Sequence, residues 1–145
     1  MSFIPNDTLN VTYYNGTYWE VLTPFTYVID DTTEVIVPKG FLTDLASVPQ
    51  LFWNILPPQG DSAVQYGPAA VVHDYLYRFG HVFNYKTNTY QQIDRVQADN
   101  ILFQAMTELK VMSVVKYLIY YGVRIGGSSS WNFYSLDHHT DSKGP

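Results

Sequence analysis

Hydrophobic periodicity changes once along this chain, near Phe41, and that change constrains the fold more than any other feature. From Val11 to Phe41 the runs TYY, TYWEVL, FTYVI and EVIV are rich in β-branched and aromatic residues, the composition of short strands. Asn15-Gly16 between the first two runs is a two-residue hairpin signal, and Asp30-Asp31 and Pro38-Lys39-Gly40 read as further turns. Three or four short antiparallel strands, a β-meander over residues 1–41, are therefore expected.

Beyond Phe41 the signals are helical. Residues 42–67 read as irregular, with one short helix between Pro49 and Leu56 that Pro57-Pro58 ends. A first long helix is predicted from about Pro68 to Phe79, closed by Gly80. The segment HVFNYKTNTY reads as a loop or small hairpin, and a second helix is predicted from about Gln92 to Leu109, with Ile93, Val96, Leu102, Phe103 and Met106 near one stripe. A third run, SVVKYLIYYGVRIGG, is apolar on most faces, which predicts burial or a subunit contact, and Gly126-Gly127 should stop it. Residues 128–145 form an aromatic and then polar tail. Its end is expected to be mobile or held by a partner, with Trp131, Phe133 and Tyr134 covering the core or a contact surface. The 145 residues suit a single domain. The expected class is α+β, an N-terminal antiparallel β-meander packed with three α-helices, two of them an antiparallel pair.

Composition narrows the function classes. A formal net charge of −5 and the lack of a basic stripe argue against binding a nucleic-acid backbone, which needs clustered Lys and Arg. The absence of cysteine removes disulfides, Cys-ligated zinc, iron–sulfur clusters and thiol nucleophiles. No apolar run approaches the ~20 residues of a membrane span. MSFIPNDTLN has neither the positive nor the apolar region of a secretory signal, so synthesis in a cytoplasm is expected. The sequons at Asn6, Asn10 and Asn15 then read as coincidence in a Thr-rich strand region. Thirteen tyrosines in a chain only 14% charged suggest a surface that touches other proteins.

The chemistry concentrates in GPAAVVHDYLYRFG, Gly67 to Gly80. On a helix His73 and Tyr77 share a face, Asp74 turns to the side, and the small Ala69 and Ala70 one turn earlier leave room for close approach. Arg95 and Asp99 are likewise four apart on the second helix, with Ala98 beside the aspartate. If the helices pack antiparallel, Asp99 can meet His73, fix its tautomer and favour its protonated form, as a general base requires. A His-Asp pair on a helix is more often a buried hydrogen-bonded pair, because buried polar groups must find partners. The compound pattern A-A-x-x-H-D-x-x-Y with A-D-x-x-x-F arises by chance far less readily than a dipeptide. An open cleft at His73 and Asp99 would mark chemistry, a sealed dyad a scaffold.

GPAAVVHDYLY followed by RVQADNILF resembles the phospholipase A2 signature, most closely its short viral form in parvovirus minor capsid proteins. That resemblance implies that His73 activates water, Asp74 binds calcium, Asp99 orients His73, and Tyr77 hydrogen-bonds Asp99. Asp94, in Asp94-Arg95, is a second alignment for the orienting aspartate. Gly60 in PPQGD and Gly67 in QYGP are the nearest candidates for a calcium loop, for an ion that takes six to eight oxygen ligands. From Gly40 onward the chain also resembles an uncharacterised family of tailed-phage and prophage proteins, through F-x-T-D-L-A-S-V-P, H-D-x-L-Y, the A-D helix and V-R-x-G-G before Trp131. This implies a phage origin, residence in a virion or in the infected host's cytoplasm, and other phage structural proteins or further copies of itself as partners.

Three further constellations have local readings. Asp44 and Ser47 in FLTDLASVP cap or bond nearby backbone, or else Asp44 joins His73, Asp74 and Asp99 around magnesium, manganese or zinc, a set suited to phosphoester hydrolysis. A Ser47-His73-Asp99 triad lacks the G-x-S-x-G elbow. His138-His139 near Asp137 and Asp141 resembles a metal-binding tract on a tail that cannot by itself hold ligand geometry. Arg124 either stabilises carbonyls at the end of its helix or pairs with an inner carboxylate. The balance favours a virion-associated tail, neck or capsid protein carrying a phospholipase A2-like helix pair, active or not. The alternative is an active metal-assisted hydrolase of phospholipid or phosphoester substrates in which His73 and Asp99 activate water.

Overall fold

The computed structural model describes residues 2–4, 11–13, 19–43, 61–136 and 138. Alternation sets the faces of its strands: in β4 (Phe25–Val28) and β5 (Thr33–Val37), Phe25, Tyr27, Val35 and Val37 point to the core while their neighbours are half-buried. The pairs Phe25↔Val37 and Tyr27↔Val35 lie directly across from each other, where buried side chains contribute most to a sheet. The expected turns follow. Asp30 Oδ1 accepts from the backbone of Thr32 and Thr33 at 2.8 Å each, and Gly40, at φ +88°, takes the left-handed position after Pro38.

Strands flank this pair on both sides. β1 (Ser2–Ile4) adds to β4, and β7 (His81–Asn84) adds to β5 and carries β8 (Thr89–Gln92), an antiparallel sheet in the order β1-β4-β5-β7-β8. β2 (Val11–Tyr13), β3 (Trp19–Val21) and β6 (Leu42–Thr43) form a second sheet, also antiparallel. The class is α+β as expected, yet the N-terminal strands do not form one meander, and the HVFNYKTNTY hairpin completes the large sheet from beyond the first helix. The Asn15-Gly16 connection and the short helix expected at Pro49–Leu56 lie outside the described residues.

Helix α1 runs Asp61–Phe79, so Pro68 is inside it rather than at its start. Gly67 eases this: proline clashes with the backbone N–H and the Cβ of the residue before it, and glycine removes the second of these. Gly80 ends the helix at φ +67°, its N–H bonded to the Leu76 carbonyl at 2.7 Å. Helix α2 (Arg95–Glu108) begins three residues later than the sequence suggested, because Gln92 is spent in β8 and Asp94 forms a capping box with Gln97. Its core stripe is Ala98, Ile101, Leu102, Ala105 and Met106, and Val96 faces out. It closes with Val111 N–H on the Met106 carbonyl and Lys110 at φ +60°, a Schellman end with lysine where glycine is usual. Helix α3 (Ser113–Gly126) buries Val115, Ile119, Gly122 and Val123, so only one face is covered. The tail begins as a further helix, α4 (Ser128–Ser135). Helix α1 lies between β5 and β6 on one side and α2 and α4 on the other, which places its middle turns at the centre of the core.

Candidate functional site

That central position buries a charge. Asp99, on α2, has no solvent exposure, and an ionised carboxylate there needs donors on every side. Three helices supply them. His73 Nε2 and the Tyr77 hydroxyl, one turn apart on α1, both donate to Asp99 Oδ1 at 2.7 Å. Arg124 Nη1, on α3, donates to Oδ2 at 2.7 Å, and Arg95 Nη1 stands 3.8 Å from the same oxygen. Burial alone would push the Asp99 carboxyl up; the bond and charge of His73, then Tyr77 and Arg124, outweigh it and hold the group below its ordinary value. Burial and the adjacent carboxylate push the Tyr77 hydroxyl up, so it stays a donor.

An ionised carboxylate only accepts, so Nε2 of His73 must carry the proton it shares with Asp99. In the neutral ring the lone pair is then on Nδ1. Nδ1 is buried and, among the described residues, has no hydrogen-bond partner. The ring itself is fixed, tilted against Tyr77 with centroids 4.2 Å apart, while Tyr77 meets Trp131 edge-on at 5.3 Å.

The tail adds a clamp. His138 is buried and its Nε2 bonds the Tyr77 carbonyl at 2.8 Å, satisfying one of the acceptors that a helix end leaves open. His138 is thus a cap on α1, and among the described residues it belongs to no metal-binding group; His139, Asp137 and Asp141 lie outside the described residues. Of the two readings of Arg124, the pairing with an inner carboxylate holds, and the carbonyls at the end of its helix are served by Arg95, whose guanidinium donates to Val123 at 3.1 Å and Arg124 at 3.3 Å.

The sequence-based candidates divide accordingly. His73, Tyr77 and Asp99 come together. Asp94 does not join them, being the N-cap of α2. Asp74 turns aside, as expected, and its Oδ2 accepts from the Thr43 hydroxyl of β6 at 2.5 Å. Thr43 carries no sequence signal of its own, although it opens the T-D-L-A-S-V-P motif, and its bond brings that motif to the H-D helix. Asp44, Ser47 and Gly60 lie outside the described residues. Among the described residues no group of carboxylates and histidines around Asp74 could hold a metal ion, and calcium would take six to eight oxygens.

A family model described as "Protein of unknown function (DUF1353)" matches residues 19–123, from β3 to nearly the end of α3, and so spans the whole Asp99 cluster except Arg124. No curated protein and no solved structure matches the chain.

Proposed function

The chain belongs to the DUF1353 family, and we propose that its His73–Asp99 pair is a water-activating hydrolytic site for an ester or phosphoester, phospholipid being the leading candidate. The observation that carries this reading is the Nδ1 of His73, which is buried and has no hydrogen-bond partner among the described residues. A buried polar atom without a partner costs about 1–3 kcal/mol, a cost that a catalytic role for that atom would account for. The reaction requires an opening that admits water and substrate to the buried Nδ1, which then takes a proton from water as its oxygen attacks the carbonyl or phosphoryl centre. Asp99 stabilises the imidazolium through Nε2, and the same proton then passes from Nδ1 to the departing oxygen. General-base assistance of this kind contributes about 10²–10⁴-fold. Phage or prophage origin is part of the proposal and rests on the motif resemblance.

A second reading, a virion-associated protein that uses the helix pair as a scaffold, is favoured by the burial of the dyad: His73 is 1% exposed. Fatty-acid release from mixed phospholipid vesicles, with calcium or with chelator, separates the two. Release by wild type that falls at least about a hundredfold in His73→Gln supports the hydrolase. Equal release by both proteins, or none from folded wild type, makes the pair a scaffold.

A further inference from the structure

We propose that the outer face of α3 docks on an anionic lipid surface, an inference that stands whether or not the His73–Asp99 pair is hydrolytic. Val114, Tyr117, Leu118, Tyr121 and Ile125 line one open groove along this helix. Val114 is 65% and Ile125 83% exposed. With about 1.5 Å of rise per residue the stripe is roughly 16 Å long. Of the eleven large hydrophobic side chains exposed among the described residues, seven fall between Leu109 and Leu136, so the apolar surface is concentrated here rather than scattered.

Charge identifies the occupant. Residues 109–136 hold Lys110, Lys116 and Arg124 and no Asp or Glu; Arg124 is turned inward to Asp99, so Lys110 and Lys116 are the charges that this surface presents. Glu108, just before the segment, acts on the Tyr27 hydroxyl of the sheet. Lys116 extends over the rings of Phe103 and Tyr117, 4.8 and 5.8 Å from their centroids, placing its ammonium at the rim of the aromatic surface. A second copy docked through the same stripe would set two lysines against two lysines. An anionic bilayer meets apolar, tyrosine and lysine groups with its acyl boundary, its interface and its headgroups in turn. No described helix is long and apolar enough to cross a membrane, so α3 would lie in the interface plane.

The test is co-sedimentation of the full chain with vesicles of phosphatidylglycerol and phosphatidylcholine, and of phosphatidylcholine alone. Wild type should bind the anionic vesicles, less so as salt rises, and His73→Gln should bind equally. The combined Val114→Ser, Tyr121→Ser and Ile125→Ser variant, with helicity checked by circular dichroism, should bind about a hundredfold more weakly, at roughly a factor of five per side chain. Lys116→Glu should weaken binding to the anionic vesicles. Absence of binding by wild type, equal binding by the triple variant, or a wild-type dimer that the triple variant abolishes without any vesicle binding would overturn the proposal.

Discussion

Replacing Asp99 with asparagine tests the centre of the fold directly. All three close partners of the carboxylate are donors, and an amide offers one acceptor oxygen where the carboxylate offers two. Turned toward Arg124 the introduced N–H₂ group confronts a donor, turned toward His73 and Tyr77 it obliges both to become acceptors, and either way Arg124 loses its counter-charge. Breaking a buried pair by removing one partner costs about 3–5 kcal/mol, and Arg124 is only 27% exposed at its side chain, so solvent repays little of that. Equilibrium urea denaturation at neutral pH should place Asp99→Asn below wild type by that margin. The gap should depend on pH in one direction. The folded carboxyl titrates below its ordinary value, so its stabilisation is complete above the unfolded value of about 3.9 and is lost as pH falls through the lower folded value. The two proteins should therefore converge only below about pH 4. A gap under about 1 kcal/mol at neutral pH, or one that widens on acidification, would refute the assignment of Asp99 as an ionised hub.

Three other substitutions test positions around that hub. Lys110→Gly relieves a left-handed backbone at φ +60° and should raise stability by about 1 kcal/mol, read from the urea midpoint. Gly127→Ala should lower it by about 1–3 kcal/mol. Its Cβ would stand 2.5 Å from the Val123 carbonyl and 2.6 Å from the Tyr77 hydroxyl, although φ itself is ordinary there. His138→Ala removes the cap on the Tyr77 carbonyl and the edge contact with Trp131, and should lower the thermal midpoint by roughly 5 °C; an unchanged midpoint would mean that the tail does not hold α1.

Much of this arrangement is legible locally. The four-residue spacings of His73 with Tyr77 and of Arg95 with Asp99 define helix faces without knowledge of the rest of the chain, and those faces do meet. Periodicity also locates α2 and α3. It misplaces the start of α1, because Pro68 reads as a first-turn residue unless the missing Cβ of Gly67 is weighed against it. The partners that complete the site are long-range, and no local signal marks them. Thr43 reaches Asp74 from a two-residue strand, Arg95 caps the end of a helix 28 residues away, and His138 acts 61 residues from the carbonyl that it caps. The joining of β7 and β8 to the N-terminal strands belongs to the same class, since it pairs Thr33 with Asn84, far apart in the chain.

Scaffold and catalyst make the same demand on Asp99, a carboxylate held ionised in the core. The bonds that tie three helices to it are also those that would orient an imidazole. Loss of stability in Asp99→Asn therefore fits both readings, and the atom that separates them is Nδ1 of His73, which has no hydrogen-bond partner among the described residues. Glutamine is the informative replacement, because its amide can still donate to Asp99 while offering no titratable lone pair. If His73→Gln keeps stability within about 1 kcal/mol of wild type and hydrolysis disappears, the free nitrogen is the functional atom. If stability falls with the imidazole and no hydrolysis is found in either protein, the ring is present for its packing on Tyr77 and its single bond to Asp99, and the cost of the open nitrogen is one that this core simply bears.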